Sequence, residues 1–257
     1  MNKFALVDLK GGLGNQIFQV SFANYLKSRD INSFLDTTFF HSNHQFPRDL
    51  EIDPKELGFI KLKIKSNTIF ELNKSIFWED DTFRINDLKM FNRFVGYYQN
   101  IKYLEFSKPF LQKKLKLESN NLKVNKVAVH IRKTDYGIIN QELSDNYYQS
   151  AISELLDIKS NLKLDIFTDD KNLKLNSSVF KNIGEIYKPN SSISSLDVMR
   201  EMLNYKYFIT ANSSFSCIAA YLSNFQDKVV FYPKPWFKNS EIAIKNIPKH
   251  WKSIANN

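Results

Sequence analysis

The sequence predicts an α/β fold with parallel sheets, and three observations lead to this prediction. Short apolar runs alternate with amphipathic stretches along most of the chain, which is the order of elements in βαβ units. Residues 126–132 alternate apolar with polar or small side chains, the period of a half-buried strand. Four predicted strands end in clusters of polar residues, and in open α/β sheets the carboxyl ends of strands form the ligand-binding edge.

The composition fits a folded chain of one large or two small domains. Hydrophobic residues make up 43% and charged residues 25% of the 257 positions, which provides a core and argues against global disorder. Residues 105–125 contain a proline, a lysine pair and a serine–asparagine run, typical of a helix followed by a linker. We therefore predict a domain boundary there, between residues 1–115 and residues 116–257.

The charge balance and the single cysteine limit the classes of function. Lysine and arginine exceed aspartate and glutamate by 36 to 27, a net charge of +9 scattered along the chain. This balance fits a solvated basic surface, or attraction to a nucleotide, a nucleic acid or a membrane face. The only cysteine, Cys217, excludes an internal disulfide and fits a reducing compartment. The amino terminus does not resemble a signal peptide and no apolar run is long enough to span a bilayer, so we expect a cytoplasmic protein.

The first predicted strand, residues 4–9, runs into a cluster of glycines. Gly11, Gly12 and Gly14 are three of the seven glycines in the chain, and a helix with apolar residues at helical spacing follows them. A strand, a glycine turn and a helix in this order are typical of phosphate binding at a helix amino terminus. The run matches neither the dinucleotide fingerprint nor the P-loop, so an ordinary tight turn is the alternative.

Fewer elements can be predicted between this turn and residue 125. Residues 32–35 form a second short strand, and residues 41–73 have no pattern that places an element. Residues 95–100 fit a strand end with polar tips. The aromatic residues between positions 76 and 92 fit a hydrophobic core.

The predicted strand at residues 126–131 brings an imidazole, a guanidinium and a carboxylate to one place. Its period puts His130 and Arg132 on the same face, and Asp135 follows where the strand ends. The planar guanidinium of Arg132 can bind phosphate oxygens in bidentate geometry. We therefore predict that this strand end binds the pyrophosphate of a nucleotide-activated sugar.

Two further strand ends carry polar clusters. A buried strand at residues 162–168 ends in Asp169 and Asp170, which can accept hydrogen bonds from a base or sugar or can cap the next helix. A strand at residues 207–210 leads into a turn with several small hydroxyl residues, which offers donors to an anion. The turn runs from residue 212 to residue 216.

Helices and further strands complete the alternation. Ser144 precedes a stretch with an apolar stripe and is predicted to cap that helix. Ser194 or Ser195 is predicted to cap a second amphipathic helix. Residues 180–187 contain another strand, and residues 229–232 form the last one before a proline-containing stop.

At these places the sequence resembles the family 11 glycosyltransferases, the α-1,2-fucosyltransferases. Order and spacing match along nearly the whole chain, whereas no single motif would suffice. The resemblance rests on G-G-L-G-N-Q-I-F-Q at residues 11–19, V-H-I-R-K-T-D-Y at 129–136, I-F-T-D-D at 166–170, N-S-S-F-S at 212–216 and the closing segment at 228–237. The second arginine of the family's H-x-R-R motif is Lys133 here, and Cys217 and Ile218 stand where many relatives have tryptophans.

The resemblance implies a GT-B-like fold, in which two Rossmann-type domains face a central cleft. Residues 1–115 would form the acceptor side, with the glycine turn at the cleft, and residues 116–257 would bind the donor GDP-fucose. It implies an inverting galactoside 2-α-L-fucosyltransferase of a bacterial surface glycan such as the O-antigen. It also implies that no metal or other cofactor is needed, and the sequence contains no D-x-D motif. The family context further implies work at the cytoplasmic face of the inner membrane, with peripheral attachment compatible with the basic composition.

The same resemblance assigns roles to residues. Arg132, assisted by His130, would neutralise the departing diphosphate. Asp135 and Glu142 are the candidates for the base that acts on the acceptor hydroxyl. Asp169 or Asp170 would hydrogen-bond the guanine or ribose. The expected donor-binding set is Gly12, Gly14, Asn15, Gln16, Arg132, Lys133, Asp169, Asp170, Asn212, Ser213, Ser214 and Phe215.

Other functions are weighed against this one. The nearest alternative is the same fold and chemistry with a different nucleotide sugar or acceptor. A non-catalytic nucleotide- or nucleic-acid-binding module would present basic residues interleaved with aromatic residues along one face, and the sequence has no such stripe. A Rossmann dehydrogenase is disfavoured because the glycine fingerprint is broken at Ile17. We therefore expect a sugar nucleotide and a glycan as partners, and no nucleic acid.

Overall fold

The computed structural model describes residues 2–45, 47–63, 74–78, 84–118, 121–190, 192–238 and 243–256. The chain forms two compact units, Met1–Lys116 and Leu117–Asn257, and each unit contains one sheet. Neighbouring strands are parallel in both sheets. The α/β fold predicted from the sequence, with parallel sheets, is confirmed.

The first unit has a five-stranded sheet in the order β3-β2-β1-β5-β4. Helices α1 (Leu13–Lys27) and α2 (Ile101–Leu115) pack against each other. The middle strand β1 buries Ala5, Leu6 and Val7 completely. The strands are β1 (Lys3–Asp8), β2 (Ile31–Asp36), β3 (Ile60–Leu62), β4 (Lys74–Trp78) and β5 (Phe91–Val95), and short 3-10 helices span Thr38–His41 and Ile85–Asp87.

The second unit has a six-stranded sheet in the order β11-β10-β9-β6-β7-β8. The helices within its described residues are α3 (Thr134–Ile138), α4 (Asp145–Ile158), α5 (Ser195–Met202) and α6 (Ser214–Leu222). Its strands are β6 (Lys123–Ile131), β7 (Lys163–Thr168), β8 (Ile183–Tyr187), β9 (Tyr205–Ile209), β10 (Val229–Lys234) and β11 (Lys252–Ala255).

The strand register of the second sheet determines which predicted site residues lie next to each other at its carboxyl edge. Strand β6 lies between β7 and β9, and Ile131 pairs with Thr168 while Val129 pairs with Ile209. Val129 and Ile131 point into the core that also contains α4, so His130, between them, points to the other face. The carboxyl ends of β6, β7 and β9 are nearly level, and the loops that follow them start side by side.

Two predicted helix caps are confirmed, and several strand bounds differ. The Ser144 hydroxyl accepts a hydrogen bond from the Tyr147 N–H at 3.3 Å, and the Ser194 hydroxyl accepts one from the Asp197 N–H at 3.1 Å. Strand β9 begins two residues earlier than predicted. Strands β3, β4 and β11 were not predicted, because three to five residues are too few to establish a period of two, and β5 ends at Val95, where the predicted strand end begins.

Candidate functional site

Three loops meet at the carboxyl edge of the second sheet, after β6, β7 and β9. Arg132 Nε lies 3.1 Å from a carboxylate oxygen of Asp169, which joins the first two loops. The Tyr136 hydroxyl donates to the carbonyl oxygen of Asn212 at 2.9 Å, which joins the first and third. The rings of His130 and Phe215 lie 5.8 Å apart between their centres. The structure thus brings together the strand-end residues of the second half of the chain.

Arg132 is held by two carboxylates. Its Nε and Nη2 atoms donate to the two oxygens of Asp135 at 3.0 Å each, a bidentate ion pair. Burial alone would lower the pKa of Arg132, but the negative charges of Asp169 and Asp135 outweigh burial and raise that pKa above its ordinary value. The side chain is 19% exposed and reaches the surface with its charge already compensated.

Asp169 is anchored at the start of α3. It accepts hydrogen bonds from the backbone N–H of Lys133 at 2.8 Å and from the hydroxyl of Thr134, in addition to its ion pair with Arg132. A carboxylate in this position also interacts favourably with the amino end of a helix. The residue expected to bind a base or ribose therefore binds the loop after β6 in this structure.

Asp170 and Glu142 have partners other than Arg132. An oxygen of Asp170 accepts a hydrogen bond from the Asn172 N–H at 2.8 Å, which closes a local turn. Glu142 forms an ion pair with Lys133, with 2.7 Å between Oε2 and Nζ and about a third of each side chain exposed. The two expected base candidates, Asp135 and Glu142, thus each pair with a predicted phosphate-binding cation.

The charges of this cluster do not favour an added anion. Arg132 and Lys133 carry two positive charges, whereas Asp135, Glu142 and Asp169 carry three negative charges. A diphosphate brought to these cations would meet a net negative cluster and would be repelled by the carboxylates already bound to them. Binding of a diphosphate at the Nε and Nη2 edge of Arg132 therefore requires that Asp135 leave this edge.

His130 is a buried and uncharged residue of this edge. Burial, and secondly the positive charge of Arg132, lower the pKa of His130 to about 3, so its imidazole is neutral near pH 7. The residue is 4% exposed, and its Nδ1 atom is buried with no hydrogen-bond partner in the described part of the chain. A buried polar atom in this state is costly unless a ligand or water pairs with it.

The turn from β9 into α6 has the features of an anion site. Ser213 is the N-cap but makes no capping bond with its side chain, and the first turn, which includes Ser214 and Phe215, contains no acidic residue. Backbone N–H groups and the positive end of the helix dipole are therefore not compensated by an acidic side chain there. Next to this turn, Asn212 Oδ1 is also buried and lacks a partner among the residues described.

The hydrogen-bonding groups of the glycine turn in the first unit are paired with other residues of the chain. Gly12 is the N-cap of α1, and the N–H of Leu13 donates to a carboxylate oxygen of Glu51 at 3.0 Å. The Gln16 side chain donates to the carbonyl oxygens of Gly11 and Asp49, at 2.9 Å each, and accepts from the Glu51 N–H at 3.0 Å. In this structure a carboxylate therefore takes the place at the helix terminus at which the sequence predicts a phosphate.

Two other residues of this predicted turn also have structural roles. The Asn15 side-chain oxygen accepts a hydrogen bond from Gln99 at 2.7 Å, and Gly14 is buried within the first turn of α1. Gly11 has φ of +76°, and a Cβ atom there would lie 2.5 Å from the Asn15 amide nitrogen. The contact of Glu51 was not predicted because residues 41–73 have no pattern that places an element, and Gln99 was predicted only as a polar residue at a strand end.

The first sheet has a charged cluster at its own carboxyl edge that was not predicted from the sequence. Asp8 and Asp36 end β1 and β2 and are register partners, and both bind Arg93 of β5. Burial raises the pKa of Asp8, the adjacent Arg93 lowers it and Asp36 raises it, with a net rise. The signal was present, because both predicted strands run into an aspartate and parallel pairing puts these carboxylates together, where they need a cation.

No metal centre or membrane-spanning segment is evident in the described ranges. They contain no group of three or more histidine, cysteine, aspartate or glutamate side chains placed to bind a metal ion. No helix in these ranges combines the length and apolar character needed to cross a bilayer.

Comparison with curated proteins identifies glycosyltransferases as relatives. The chain is 29% identical to an α-1,2-colitosyltransferase of Escherichia coli, over 96% of this chain and 97% of the relative. It is 26% identical to the O-antigen biosynthesis glycosyltransferase WbnK of Escherichia coli, over 89% of this chain and 93% of the relative. No protein-family model matches the chain. These similarities along nearly the full length support the glycosyltransferase class.

Solved structures similar to this chain include two bacterial glycosyltransferases. A family 9 glycosyl transferase of Veillonella parvula has a TM-score of 0.47 at 9% identity, over 99% of this chain and 88% of that one. The heptosyltransferase WaaC of E. coli with ADP has a TM-score of 0.46 at 10% identity, over 98% of this chain and 93% of that one.

Proposed function

We propose that this protein is an inverting fucosyltransferase that transfers L-fucose from GDP-fucose to the 2-hydroxyl of a galactoside in a bacterial surface glycan. The proposal is supported by the family resemblance of five motifs and by relatives named for colitose transfer and O-antigen synthesis. The observation that carries it is the convergence of Arg132, neutral His130 and the uncapped start of α6 at one sheet edge. The proposal includes a GT-B arrangement, with the donor on the second unit and the acceptor on the first.

A second donor is favoured by the relative with 29% identity. That protein is named for colitose, which is fucose without its 3-hydroxyl group. GDP-colitose is therefore the alternative donor for this chain. The two donors carry the same nucleotide, so the binding of the diphosphate is the same in both versions of the proposal.

The diphosphate is proposed to replace Asp135 on Arg132. Asp135 occupies the Nε and Nη2 edge of the guanidinium in the bidentate geometry that a phosphate also adopts. Asp169 is tied to the start of α3 by the Lys133 N–H and the Thr134 hydroxyl, so it is the carboxylate that stays. After the exchange, the N–H groups at the start of α6 add further donors to the diphosphate.

This exchange also supplies the base. Asp135, released from Arg132, accepts the proton of the acceptor 2-hydroxyl while the acceptor oxygen bonds to the anomeric carbon of the sugar. The bond between that carbon and the diphosphate oxygen breaks, and GDP leaves with the electron pair. Arg132 stabilises the charge that develops on the diphosphate, which is commonly worth a few kcal/mol of activation free energy. Glu142, paired with Lys133, is the alternative base.

The test is a calorimetric titration of GDP and GDP-fucose into wild type and Arg132→Ala. We expect wild type to bind both, and the variant to lose at least about tenfold in affinity, or about 1.4 kcal/mol. The matched control is Arg200→Ala, because Arg200 lies in the same unit and has the same (i, i+3) pairing, with Asp197. An Arg132→Ala protein with wild-type affinity for GDP contradicts the proposed site.

Turnover then separates the two donors. Wild type is supplied with GDP-fucose or GDP-colitose and a panel of galactosides, and the linkage of each product is determined. Faster transfer from GDP-fucose to a galactose 2-hydroxyl supports the first version, and faster transfer from GDP-colitose supports the second. The absence of transfer from both donors contradicts the proposed reaction.

A further inference from the structure

The amide group of Asn212 is locked in one orientation. Its Nδ2 atom donates to the carbonyl oxygen of Gln141 at 2.8 Å. A rotated amide would place two oxygen acceptors against each other, so the assignment of nitrogen and oxygen is determined by this contact. The residue is 1% exposed, and Oδ1 is the atom left without a partner in the described ranges.

Gln141 is itself held firmly in place. Its side-chain oxygen accepts a hydrogen bond from the N–H of Lys238 at 2.7 Å, and its amide nitrogen donates to the carbonyl oxygen of Lys238 at 3.4 Å. Its backbone N–H donates to the carbonyl oxygen of Tyr136 at 2.8 Å. The loop after α3, the segment after β10 and the turn before α6 are thus tied together at one residue.

The chemistry of the unpartnered atom restricts what can pair with it. A carbonyl oxygen only accepts hydrogen bonds, and a diphosphate near neutral pH presents acceptors as well. Asn212 therefore cannot be a donor to the diphosphate through the atom that is available. Guanine also carries N–H donors, but the groups bonded directly to the diphosphate are the ribose and the transferred sugar, and their donors are hydroxyl groups.

We propose that Asn212 is a specificity-determining residue that accepts a hydrogen bond from a hydroxyl group of the sugar nucleotide, and that Gln141 is the positioning residue that keeps its oxygen available. This inference rests on the proposed function, because it concerns the donor bound at the start of α6. It changes the role expected for Asn212 from the sequence and leaves anion binding to Ser213, Ser214 and Phe215. A site built to pair with a hydroxyl rejects an analogue that lacks it.

The test uses two sets of probes, which distinguish the two sources of the hydroxyl. The ribose set compares GDP with its 2′-deoxy and 3′-deoxy forms. The sugar set compares GDP-fucose with forms lacking the hydroxyl at C2, C3 or C4. We expect wild type to bind one of these deoxy probes at least about tenfold more weakly than its parent.

The variants then assign that loss to Asn212. Asn212→Leu, of similar volume, should bind the parent and the sensitive deoxy probe with equal affinity, because the group that distinguishes them is gone. Gln141→Leu should reduce the difference in affinity between the two probes. It removes the hydrogen bonds between the Gln141 side chain and Lys238, which hold the Gln141 carbonyl against Asn212, without changing the Asn212 side chain. Gln141→Glu should restore part of the difference, since its carboxylate still accepts from the Lys238 N–H. Gln149→Leu, at an exposed glutamine of the same unit, should keep the wild-type ratio.

Each result separates this inference from the function on which it rests. Wild type that binds GDP and GDP-fucose but tolerates every deoxy probe overturns the inference alone, as does an Asn212→Leu protein that keeps the wild-type difference. A uniform loss for all probes in Asn212→Leu indicates a structural role, such as holding an internal water, and also overturns it. If Asn212→Leu does not fold, the Gln141 pair of variants decides, and an unchanged ratio in Gln141→Leu overturns the inference. Wild type that binds neither GDP nor GDP-fucose overturns the proposed function as well.

Discussion

At the scale of single residues, the main feature of the site is that the positive charge of Arg132 is already paired with carboxylates. Two carboxylates raise its pKa and compensate its charge, so the guanidinium is present but already paired. A ligand gains only the difference between its own interaction with Arg132 and that of Asp135. Removing the competing carboxylate should therefore strengthen anion binding while it weakens catalysis.

The first prediction follows for Asp135→Asn. The variant should bind GDP about tenfold more tightly than wild type, because the asparagine does not compete for the guanidinium as a charge. Its turnover with GDP-fucose should fall by at least about a hundredfold if Asp135 is the base. Glu142→Gln removes the same charge from Lys133 and serves as the matched comparison. Tighter binding of GDP in Glu142→Gln but not in Asp135→Asn would contradict the exchange on Arg132.

The second prediction concerns His130 and the pH dependence of stability. Burial and Arg132 lower its folded pKa to about 3, whereas Asp169 opposes them, and the unfolded chain has the ordinary value near 6.5. Stability from this residue is therefore complete above pH 6.5 and is lost as pH falls toward 3, because the unfolded state then binds the extra proton. The slope contributed is at most about 1.4 kcal/mol per pH unit.

Urea unfolding of wild type and His130→Asn between pH 8 and pH 4.5 measures this effect. The free energy of unfolding of wild type should fall more steeply with acidification than that of the variant. His250→Asn, at an exposed histidine, should keep the wild-type slope. Parallel curves for wild type and His130→Asn would show that the histidine is not held neutral by burial.

At the scale of elements, the start of α1 combines a positive φ with a close approach. Gly11 has φ of +76° and lies against Asn15, whereas at Gly12 a Cβ atom would meet nothing within 4 Å. Asn15 cannot move freely away, because its side chain also binds Gln99. Position 11 therefore requires glycine, whereas position 12 has room for a side chain.

A pair of alanine substitutions tests this difference by thermal or urea unfolding. Gly11→Ala should cost about 2 kcal/mol or more, from the left-handed backbone conformation and the clash with Asn15. Gly12→Ala should cost less than about 1 kcal/mol, the loss of a glycine at an N-cap position. Equal costs for the two variants would indicate that the turn relaxes around the added methyl group.

The elements also show how far sequence patterns reach. The strand at residues 126–131 was predictable because its alternation is long, and the caps at Ser144 and Ser194 because an N-cap side chain bonds locally. Helix α3 was not predicted, since five residues contain too little periodicity. Because α3 begins at Thr134, Asp135 lies in its first turn, where it pairs with Arg132. The sequence therefore predicted which residues share the edge but not which of them pair.

At the scale of the whole molecule, the chain divides into two α/β units with a parallel sheet in each. Both units carry charged clusters at the carboxyl edges of their sheets, around Arg132 in the second and Arg93 in the first. Most of the second cluster was predictable because Arg132, Asp135 and Glu142 lie in one short stretch of sequence, whereas Asp169 reaches Arg132 through the parallel pairing of β6 and β7. The first was missed because Arg93 lies 57 positions beyond Asp36 and only the order of strands brings them together.

The last prediction concerns the metal requirement of the whole enzyme. If Arg132 and Lys133 act as the cations on the diphosphate, turnover of GDP-fucose should change by less than about twofold on addition of EDTA. Added Mg²⁺ should have a similarly small effect. Activity that is lost with EDTA and restored by Mg²⁺ would show that a divalent ion, rather than these side chains alone, stabilises the leaving group.

The attachment of residues 49–51 to the start of α1 has a consequence for engineering this protein. Gln16 and the Leu13 N–H hold this segment through three hydrogen bonds, although its own sequence shows no regular pattern. Because the cost of closing a longer loop grows only slowly with its length, we expect an insertion on the amino-terminal side of this segment to be tolerated as long as Gln16 and Glu51 keep their contacts.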